Sequence, residues 1–195
     1  MPRKLRTIAA GITYHCYSHC HNKEDSLETN FGTRIFTEAV QMCQKKYNFE
    51  LSGVAIVKNH VHLIIKTLED AETVSRIMQY IKARIAEKYN RAMKKSGAFW
   101  NGRFGCKIVE EGFKPEYYAK DVVLYVAYNP VRKKICTDPR NSSLNFINCY
   151  LIENYKFPLK ITLPDFFYSL GNTFEERAKQ FLLYEQEYLQ RTAKS

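Results

Sequence analysis

Two histidines separated by one apolar residue, His60-Val61-His62, lie in a stretch that otherwise has the composition of a β-strand. Side chains along a strand alternate between the two faces of a sheet, so His60 and His62 are expected to point the same way. Two imidazoles on one face of a rigid strand can ligate a divalent metal. The alternative is a pair of histidines at an ordinary sheet surface, and the spacing alone does not separate the two.

A tyrosine and an asparagine about sixty residues downstream form a second candidate group. The segment from Pro115 has helical spacing, which places Tyr125 and Asn129 four residues apart on one helix face. Pro130 cannot continue that helix, so Asn129 is predicted in its last turn. The amide oxygen is a hard metal ligand and the phenol is a candidate nucleophile. The alternative is a tyrosine packed on the sheet beside an asparagine that caps the helix.

The elements that must position these residues follow from periodicity. Two-residue alternation predicts strands at 12–20, 49–57, 61–67 and 102–110, and helical spacing predicts helices at 33–47, 73–93 and 115–129. Lys58-Asn59 is predicted to form a tight hairpin, or a bulge, that presents the histidines. The resulting βαββαβ order plus one helix predicts an α+β fold. Beyond Pro139 the pattern weakens until a final helix predicted at 174–189.

Together these residues resemble the HUH motif and its surroundings in single-tyrosine transposases, where U is a bulky hydrophobic residue. The wider pattern is similar to the REP-associated tyrosine transposases and their insertion-sequence relatives. Four blocks carry the resemblance in order: Pro2 to His15, Asn59 to Leu63, Gly97 to Phe104, and Tyr125 to Val131. They span about the first two-thirds of the chain, and their joint order and spacing is more specific than any one block.

The resemblance implies a ferredoxin-like antiparallel sheet with an added catalytic helix. It implies that His60, His62 and Asn129 hold one Mg²⁺ or Mn²⁺ and that Tyr125 is the nucleophile. The implied activity is cleavage and rejoining of single-stranded or hairpin DNA through a 5′-phosphotyrosine intermediate and a free 3′-OH. Such proteins act as monomers or as homodimers that exchange helices. We expect a catalytic domain at residues 1–138 and a C-terminal extension with a final helix at 139–195.

The sequence departs from this pattern at three places, none of which removes a proposed catalytic group. His19-Cys20-His21 replaces a stretch that usually contains arginine and glycine, Tyr128 adds a second phenol, and Lys133-Lys134 follows the Asn-Pro block. The departures bear on which DNA sequence is recognised. The histidines and cysteines from His15 to His21 also invite a structural-zinc interpretation. In a strand, however, the two residue types segregate to opposite faces, and no second ligand pair follows.

The charge of the chain indicates a polyanionic partner. The 195 residues carry a net charge of +10, and nine Lys or Arg lie between Glu72 and Lys107, against two Glu. We expect this stretch to bind phosphates. The predicted DNA contacts are Arg84, Lys88, Arg91, Trp100 and Arg103. Two alternatives stay open: Trp100 is a core anchor instead of a base-stacking residue, and the charged helix face is merely solvated.

Two other functions compete with a transposase. A non-catalytic nucleic-acid-binding protein can have the same sheet, although it has no reason to keep all four candidate residues. A metal-dependent hydrolase that uses water does not need Tyr125. The six cysteines are scattered and are expected to be reduced thiols, and no apolar run is long enough to span a membrane. A cytoplasmic location is therefore expected.

Overall fold

The computed structural model describes residues 9–21, 27–110, 115–142, 144 and 146–193. Residues 2–8 of the first resemblance block lie outside this described part of the chain. The strands are β1 (Thr13–His19), β2 (Phe49–Val57), β3 (His60–Thr67) and β4 (Gly105–Ile108). The helices are α1 (Asn30–Lys46), α2 (Val74–Met93), α3 (Pro115–Ala127), α4 (Asn129–Arg132), α5 (Asp165–Tyr168) and α6 (Phe174–Ala193), with short 3₁₀ helices at Pro139–Asn141 and Ile147–Tyr150.

The four strands form one antiparallel sheet in the order β2-β3-β1-β4. Along the chain the elements follow the predicted order of strand, helix, strand, strand, helix, strand, so the prediction of an α+β fold with a four-stranded antiparallel sheet is confirmed. β3 lies between β1 and β2, which places His60 and His62 on an interior strand. Their backbone positions are therefore fixed by hydrogen-bonded ladders on both sides.

One face of the sheet packs into the core beneath α1 and α2. The residues on this face are apolar and fully buried, and include Tyr14, Cys16, Leu63 and Ile65. Each of the two helices begins at a threonine whose side chain accepts a hydrogen bond from a backbone N–H in the first turn, Thr29 for α1 and Thr73 for α2. Their buried stripes recur at helical spacing, as the sequence predicts.

A two-residue turn joins the two strands that frame the histidines. Val57 pairs with His60, so Lys58 and Asn59 form the turn, and Lys58 has a φ of 48°. The prediction of a tight hairpin is confirmed, and the bulge lies elsewhere: the register of β2 shifts between Leu51 and Gly53. The first histidine consequently follows the turn directly.

α3 carries Tyr125 and is here called the tyrosine helix. It ends earlier than the sequence predicts. α3 stops at Ala127 and Asn129 opens a separate short helix, so the expectation that Asn129 lies in the last turn of α3 is wrong. Proline is disfavoured inside a helix but is suited to its first turn, and Pro130 occupies that position in α4. The backbone bond from Tyr128 N–H to Leu124 O still carries the helical path to the junction. Tyr125 and Asn129 therefore remain one turn apart.

Residues beyond 138 pack onto the second face of the sheet and its β2 edge. The Tyr150 hydroxyl donates to Ser52 O (2.7 Å), and the Thr162 N–H donates to Leu51 O (2.8 Å). A Cβ at Gly53 would come within 2.6 Å of the Phe146 ring, so glycine is required for this close approach. In the described part of the chain, no helix has the length and apolar character needed to cross a membrane. All six cysteines are described, and none forms a disulfide.

Candidate active site

Four histidines from two neighbouring strands share the sheet face opposite α1 and α2. His19 pairs with His60 across the β1–β3 ladder, and Tyr17 pairs with His62. The ring centroids of His19 and His60 are 5.0 Å apart, and those of His15 and His62 are 5.1 Å apart. Since residues directly opposite each other lie on one face, cross-strand pairing brings the histidines of the first strand beside the HUH pair.

α3 and α4 lie over these histidines, and a cavity of about 600 Å³ that is open to solvent separates the helices from the sheet. The Tyr125 ring meets the rings of His15 and His62 edge-on, at centroid distances of 5.7 and 5.9 Å. Asn129 is buried with its Oδ1 3.5 Å from His60 Nε2. The structure thus brings together all four of the residues His60, His62, Tyr125 and Asn129, two from the sheet and two from the helices above it.

The imidazoles in the cavity have depressed pKa values. Burial, followed by the charge of Lys107, lowers the pKa of His15 to about 4. Burial lowers the pKa of His62 well below its usual value, and it also lowers the pKa of His60, with further contributions from the neighbouring histidines. Each of these rings is therefore neutral near pH 7 and keeps one nitrogen lone pair, as metal coordination requires.

His62 has one nitrogen engaged and one available. His62 Nδ1 lies 2.9 Å from His15 Nε2, whereas the buried His62 Nε2 has no hydrogen-bond partner among the described residues. A buried polar atom without a partner is costly, so it calls for a ligand. If the His62 Nδ1–H donates to His15, the Nε2 lone pair is free for a metal, and His15 fixes both tautomer and ring orientation.

The donor set fits a small divalent cation. Two ligands held at right angles on Mg²⁺, each at about 2.1 Å, lie about 3 Å apart, close to the 3.5 Å between His60 Nε2 and Asn129 Oδ1. Among the described residues, no group of three or more His, Cys, Asp or Glu side chains is arranged to hold a metal. That finding leaves two imidazoles and one amide oxygen as the candidate set. His15 and His19 line the cavity, whereas Cys16 and Cys20 lie in the core, so the two residue types occupy opposite faces of the sheet.

Comparison with known proteins identifies a family for this chain. The profile of a family described as "Transposase IS200 like" matches residues 9–129, which include all four candidate residues and the four strands of the sheet. The chain belongs to the IS200-like transposase family. Family membership makes it a DNA-processing enzyme by class. No curated protein sequence is similar enough to this chain to count as a match.

Two solved structures are similar to this IS200-like transposase, and the first of them shows its fold. A REP-associated tyrosine transposase solved with a bound REP hairpin is similar with a TM-score of 0.63 and 18% identity, over 85% of this chain and 94% of that one. A candidate transposase of Deinococcus radiodurans R1 is similar with a TM-score of 0.43 and 15% identity, over 56% of this chain and 88% of that one. At such identities the first likeness shows the fold alone.

The second phenol of the Asn-Pro block points away from the cavity. Tyr128 is 8% exposed, against 41% for Tyr125. Its hydroxyl donates to Glu185 Oε1 at 2.7 Å, and Glu185 in turn pairs with Arg140. Burial and the Glu185 carboxylate raise the pKa of Tyr128. In this IS200-like transposase Tyr128 therefore connects α6 to the α3–α4 junction and does not enter the site.

Three of the predicted DNA contacts lie on the layer opposite the cavity. Arg84, Lys88 and Arg91, here called the α2 cations, each have a carboxylate partner: Arg84 and Arg91 pair with Glu87, and Lys88 pairs with Glu38. α2 covers the core face of the sheet, whereas His60 and His62 line the other face. The α2 cations and the cavity therefore cannot contact one short DNA segment together.

The other two predicted DNA contacts lie before β4. Trp100 is 9% exposed, and its Nε1–H donates to Lys82 O at 2.9 Å. That burial leaves little ring surface for a base and favours the alternative of a core anchor. Arg103 is exposed. The role of both residues in binding DNA stays a prediction.

Several residues of the site are not evident from the sequence. Lys107 and Lys133, here called the cavity cations, line the cavity and are exposed. Arg132 lies over the Tyr125 ring, with its Cζ 4.8 Å from the centroid, and Tyr188 of α6 lines the same cavity. The only signals in the sequence are the His15–His19 spacing, which matches that of a same-face strand pair, and the basic residues after Pro130. Nothing in the sequence connects Tyr188 with the site.

Proposed function

We propose that this protein is a metal-dependent single-strand DNA endonuclease and strand transferase that uses Tyr125 as its nucleophile. The observation that carries the proposal is the position of the Tyr125 phenol. It is the exposed phenol beside His62, whose Nε2 is buried without a partner, and it shares a cavity with His60 and Asn129. A protein that only binds DNA needs no such combination of nucleophile and metal donors.

His60, His62 and Asn129 would hold one Mg²⁺ or Mn²⁺. When bound, the cation supplies Lewis-acid polarisation of a phosphoryl oxygen and neutralises charge that develops in the transition state. This set of three ligands contains no carboxylate, which suits a site in which the DNA phosphate provides the negative charge. His15 acts behind this set by accepting the Nδ1–H of His62, which orients the ring.

Tyr125 carries the covalent step. Its hydroxyl oxygen forms a bond to phosphorus while the bond from phosphorus to the 3′ oxygen breaks. The phenol loses one proton and the leaving 3′ oxygen gains one, so the products are a 5′-phosphotyrosine and a free 3′-OH. The phosphodiester energy is kept in the new bond, and a second 3′-OH can therefore reverse the step and join strands without a nucleotide cofactor.

The DNA is single-stranded or folded as a hairpin, and we propose that the cleaved segment crosses the cavity between the cavity cations. Lys133 contributes to lowering the pKa of His60 and Lys107 to lowering that of His15, so the two charges act on opposite ends of the histidine group. The α2 cations and Arg103 then contact DNA only outside the cleaved segment. The relative solved with a REP hairpin supports hairpin DNA as the class of substrate.

The finer fold assignment and the assembly belong to the same proposal. The strand order agrees with a ferredoxin-like sheet, to which α3 adds the catalytic tyrosine, and residues 139–195 form the extension to a catalytic domain at 1–138. Tyr125 and the histidines meet within one chain, at 5.9 Å between the rings of Tyr125 and His62. We therefore propose that a monomer suffices for cleavage. A cytoplasmic location remains our expectation.

The test is incubation of the protein with labelled single-stranded hairpin DNA and Mn²⁺, followed by denaturing electrophoresis. We expect a labelled protein–DNA band that is lost on adding EDTA and is lost in Tyr125→Phe. Cleavage without any covalent band would instead identify a hydrolase that uses water. Binding without cleavage under all metal conditions would identify the non-catalytic nucleic-acid-binding alternative and contradict the proposal.

A further inference from the structure

The C-terminal helix α6 contacts α3 and α4 through polar side chains, of which Tyr184 and Tyr188 of α6 are buried. The Tyr184 hydroxyl donates to Asp121 Oδ1 at 2.8 Å, and Arg191 Nη2 lies 2.9 Å from the same oxygen. Tyr188, one turn further along α6, contacts Arg132. These residues lie beyond residue 129, where the family match ends, except for Asp121. Elements outside the matched region thus contact the helix that carries the nucleophile.

Arg132 occupies the space between Tyr188 and the nucleophile. Its Nη1 donates to the backbone oxygen of Tyr125 at 2.9 Å, and its Nη2 donates to the Tyr188 hydroxyl. Its Cζ lies 4.8 Å from the Tyr125 ring centroid and 5.8 Å from the Tyr188 ring centroid. One guanidinium therefore contacts the backbone and the ring of Tyr125 while Tyr188 holds its other nitrogen.

This arrangement limits where the Tyr125 ring can lie. The rings of His15 and His62 meet it edge-on from the sheet, and Arg132 covers its face. An exposed tyrosine without such contacts samples several rotamers, and each rotamer places the hydroxyl at a different position. Because reacting atoms must approach to within about 3–3.5 Å, a displacement of about 1 Å can reduce the rate of a chemical step by roughly 100-fold.

We infer that Arg132, held by Tyr188 of α6, is a positioning residue that fixes the Tyr125 phenol for attack. The inference rests on the proposed function and extends it, because it makes α6 part of the catalytic apparatus. Lysine is not an adequate replacement at position 132, since an ammonium group cannot stack on the ring while donating to two separate oxygens.

The experiment compares two matched substitutions on α6, Tyr188→Phe and Tyr184→Phe. Each removes one hydroxyl that bonds to a charged partner, but only Tyr188 touches Arg132. The readouts are the maximal rate of covalent adduct formation at saturating hairpin DNA, the DNA concentration at half-maximal rate, and the melting temperature. We expect both variants to melt at a lower temperature and only Tyr188→Phe to lose rate, by about 10-fold, with an unchanged half-saturation.

A purely structural role would reduce the rate of both variants alike, and that result would overturn the inference, as would an unchanged rate in Tyr188→Phe. An increase in half-saturation alone would identify Arg132 as a phosphate contact and would also overturn it. If Tyr188→Phe does not fold, Arg132→Lys provides the same test: loss of rate supports the inference and a wild-type rate refutes it. Absence of adduct in the wild-type protein would refute the proposed function itself. Failure of the proposed function can therefore be distinguished from failure of the inference about Arg132.

Discussion

Two phenols three residues apart, Tyr125 and Tyr128, are predicted to respond in opposite ways to the same substitution. Phenylalanine removes one hydroxyl and leaves the ring. Tyr125 presents its hydroxyl to an open cavity, whereas Tyr128 is buried and donates to Glu185 at 2.7 Å. The substitution should therefore abolish activity at one position and reduce stability at the other.

The magnitude at position 128 follows from that hydrogen bond. A hydrogen bond to a charged group contributes about 1.5–3 kcal/mol to the free energy of unfolding. Glu185 keeps its ion pair with Arg140 in the variant, so its carboxylate is not left without a partner. We expect a loss near the lower end, about 1.5–2 kcal/mol, which for a chain of this size lowers the melting temperature by about 3–8 °C.

At position 125 the expected stability change is small. The ring keeps its contacts with His15, His62 and Arg132, and 41% of the side chain is exposed. Substitutions of this kind change the free energy of unfolding by about 0.5 kcal/mol or less. The covalent adduct, in contrast, should disappear completely, because no atom remains that can bond to phosphorus.

The assay pairs thermal unfolding with a denaturing gel of labelled hairpin DNA and Mn²⁺, and the adduct reaction is run below the melting temperature measured for each variant. Tyr125→Phe should melt like the wild type, bind DNA and Mn²⁺ normally, and give no adduct. Tyr128→Phe should melt earlier and retain most of the adduct. The reasoning is refuted if an adduct persists in Tyr125→Phe, or if Tyr128→Phe melts like the wild type and has lost its adduct.

Three further outcomes are expected. Loss of a residue that only supports a metal ligand weakens metal binding by roughly 10–100-fold, so replacing both His60 and His62 with Ala should weaken Mn²⁺ binding by more than that. An unchanged Mn²⁺ affinity in calorimetry would show that the two histidines are not ligands. Each lost contact with a single-strand phosphate reduces the slope of log affinity against log salt by about 0.7, so replacing both cavity cations with Ala should reduce that slope by about 1.4. A larger reduction on replacing the three α2 cations would show that the DNA binds to the opposite layer. Gly105→Ala puts a Cβ 2.3 Å from Cζ of Tyr17, which lines the cavity, so Tyr17 must move. The substitution should lower the free energy of unfolding by about 1–3 kcal/mol and slow adduct formation. A wild-type melting temperature and rate would show that the cavity accommodates the added methyl group.

Local periodicity was sufficient to predict the order of strands and helices and to place the four candidate residues in pairs on shared faces, whereas their roles were predicted from the family resemblance. The alternation that places His60 and His62 on one face depends only on the strand repeat, and the one-turn separation of Tyr125 and Asn129 depends only on the helix repeat. The predicted position of Asn129 in the last turn of α3 was wrong, because Pro130 lies in the first turn of a new helix, α4. That choice depends on tertiary packing, since proline is compatible with both.

What the sequence could not supply is every contact set by cross-strand register or by distant packing. His15 lies beside His62 only because β1 and β3 are neighbours in one particular register. The count of charged residues between Glu72 and Lys107 also omits one ion-pair partner, because Glu38 of α1 pairs with Lys88 from outside that stretch. Tyr188 reaches Arg132 from a helix more than fifty residues further along the chain, at a separation of 56 positions. No local pattern encodes such a pairing.

The polar contacts that α6 makes with α3 and α4 affect how the sequence of an interrupted gene of this family should be interpreted. A frameshift shortly after codon 130 would leave intact both histidines, Tyr125 and Asn129, together with the whole region that matches the family. Its product would nevertheless lack Arg132 and Tyr188, and with them the contacts of Arg132 with the ring and the backbone of Tyr125. On the inference that Arg132 positions Tyr125, such a gene remnant retains His60, His62, Tyr125 and Asn129 and is expected to encode an inactive protein.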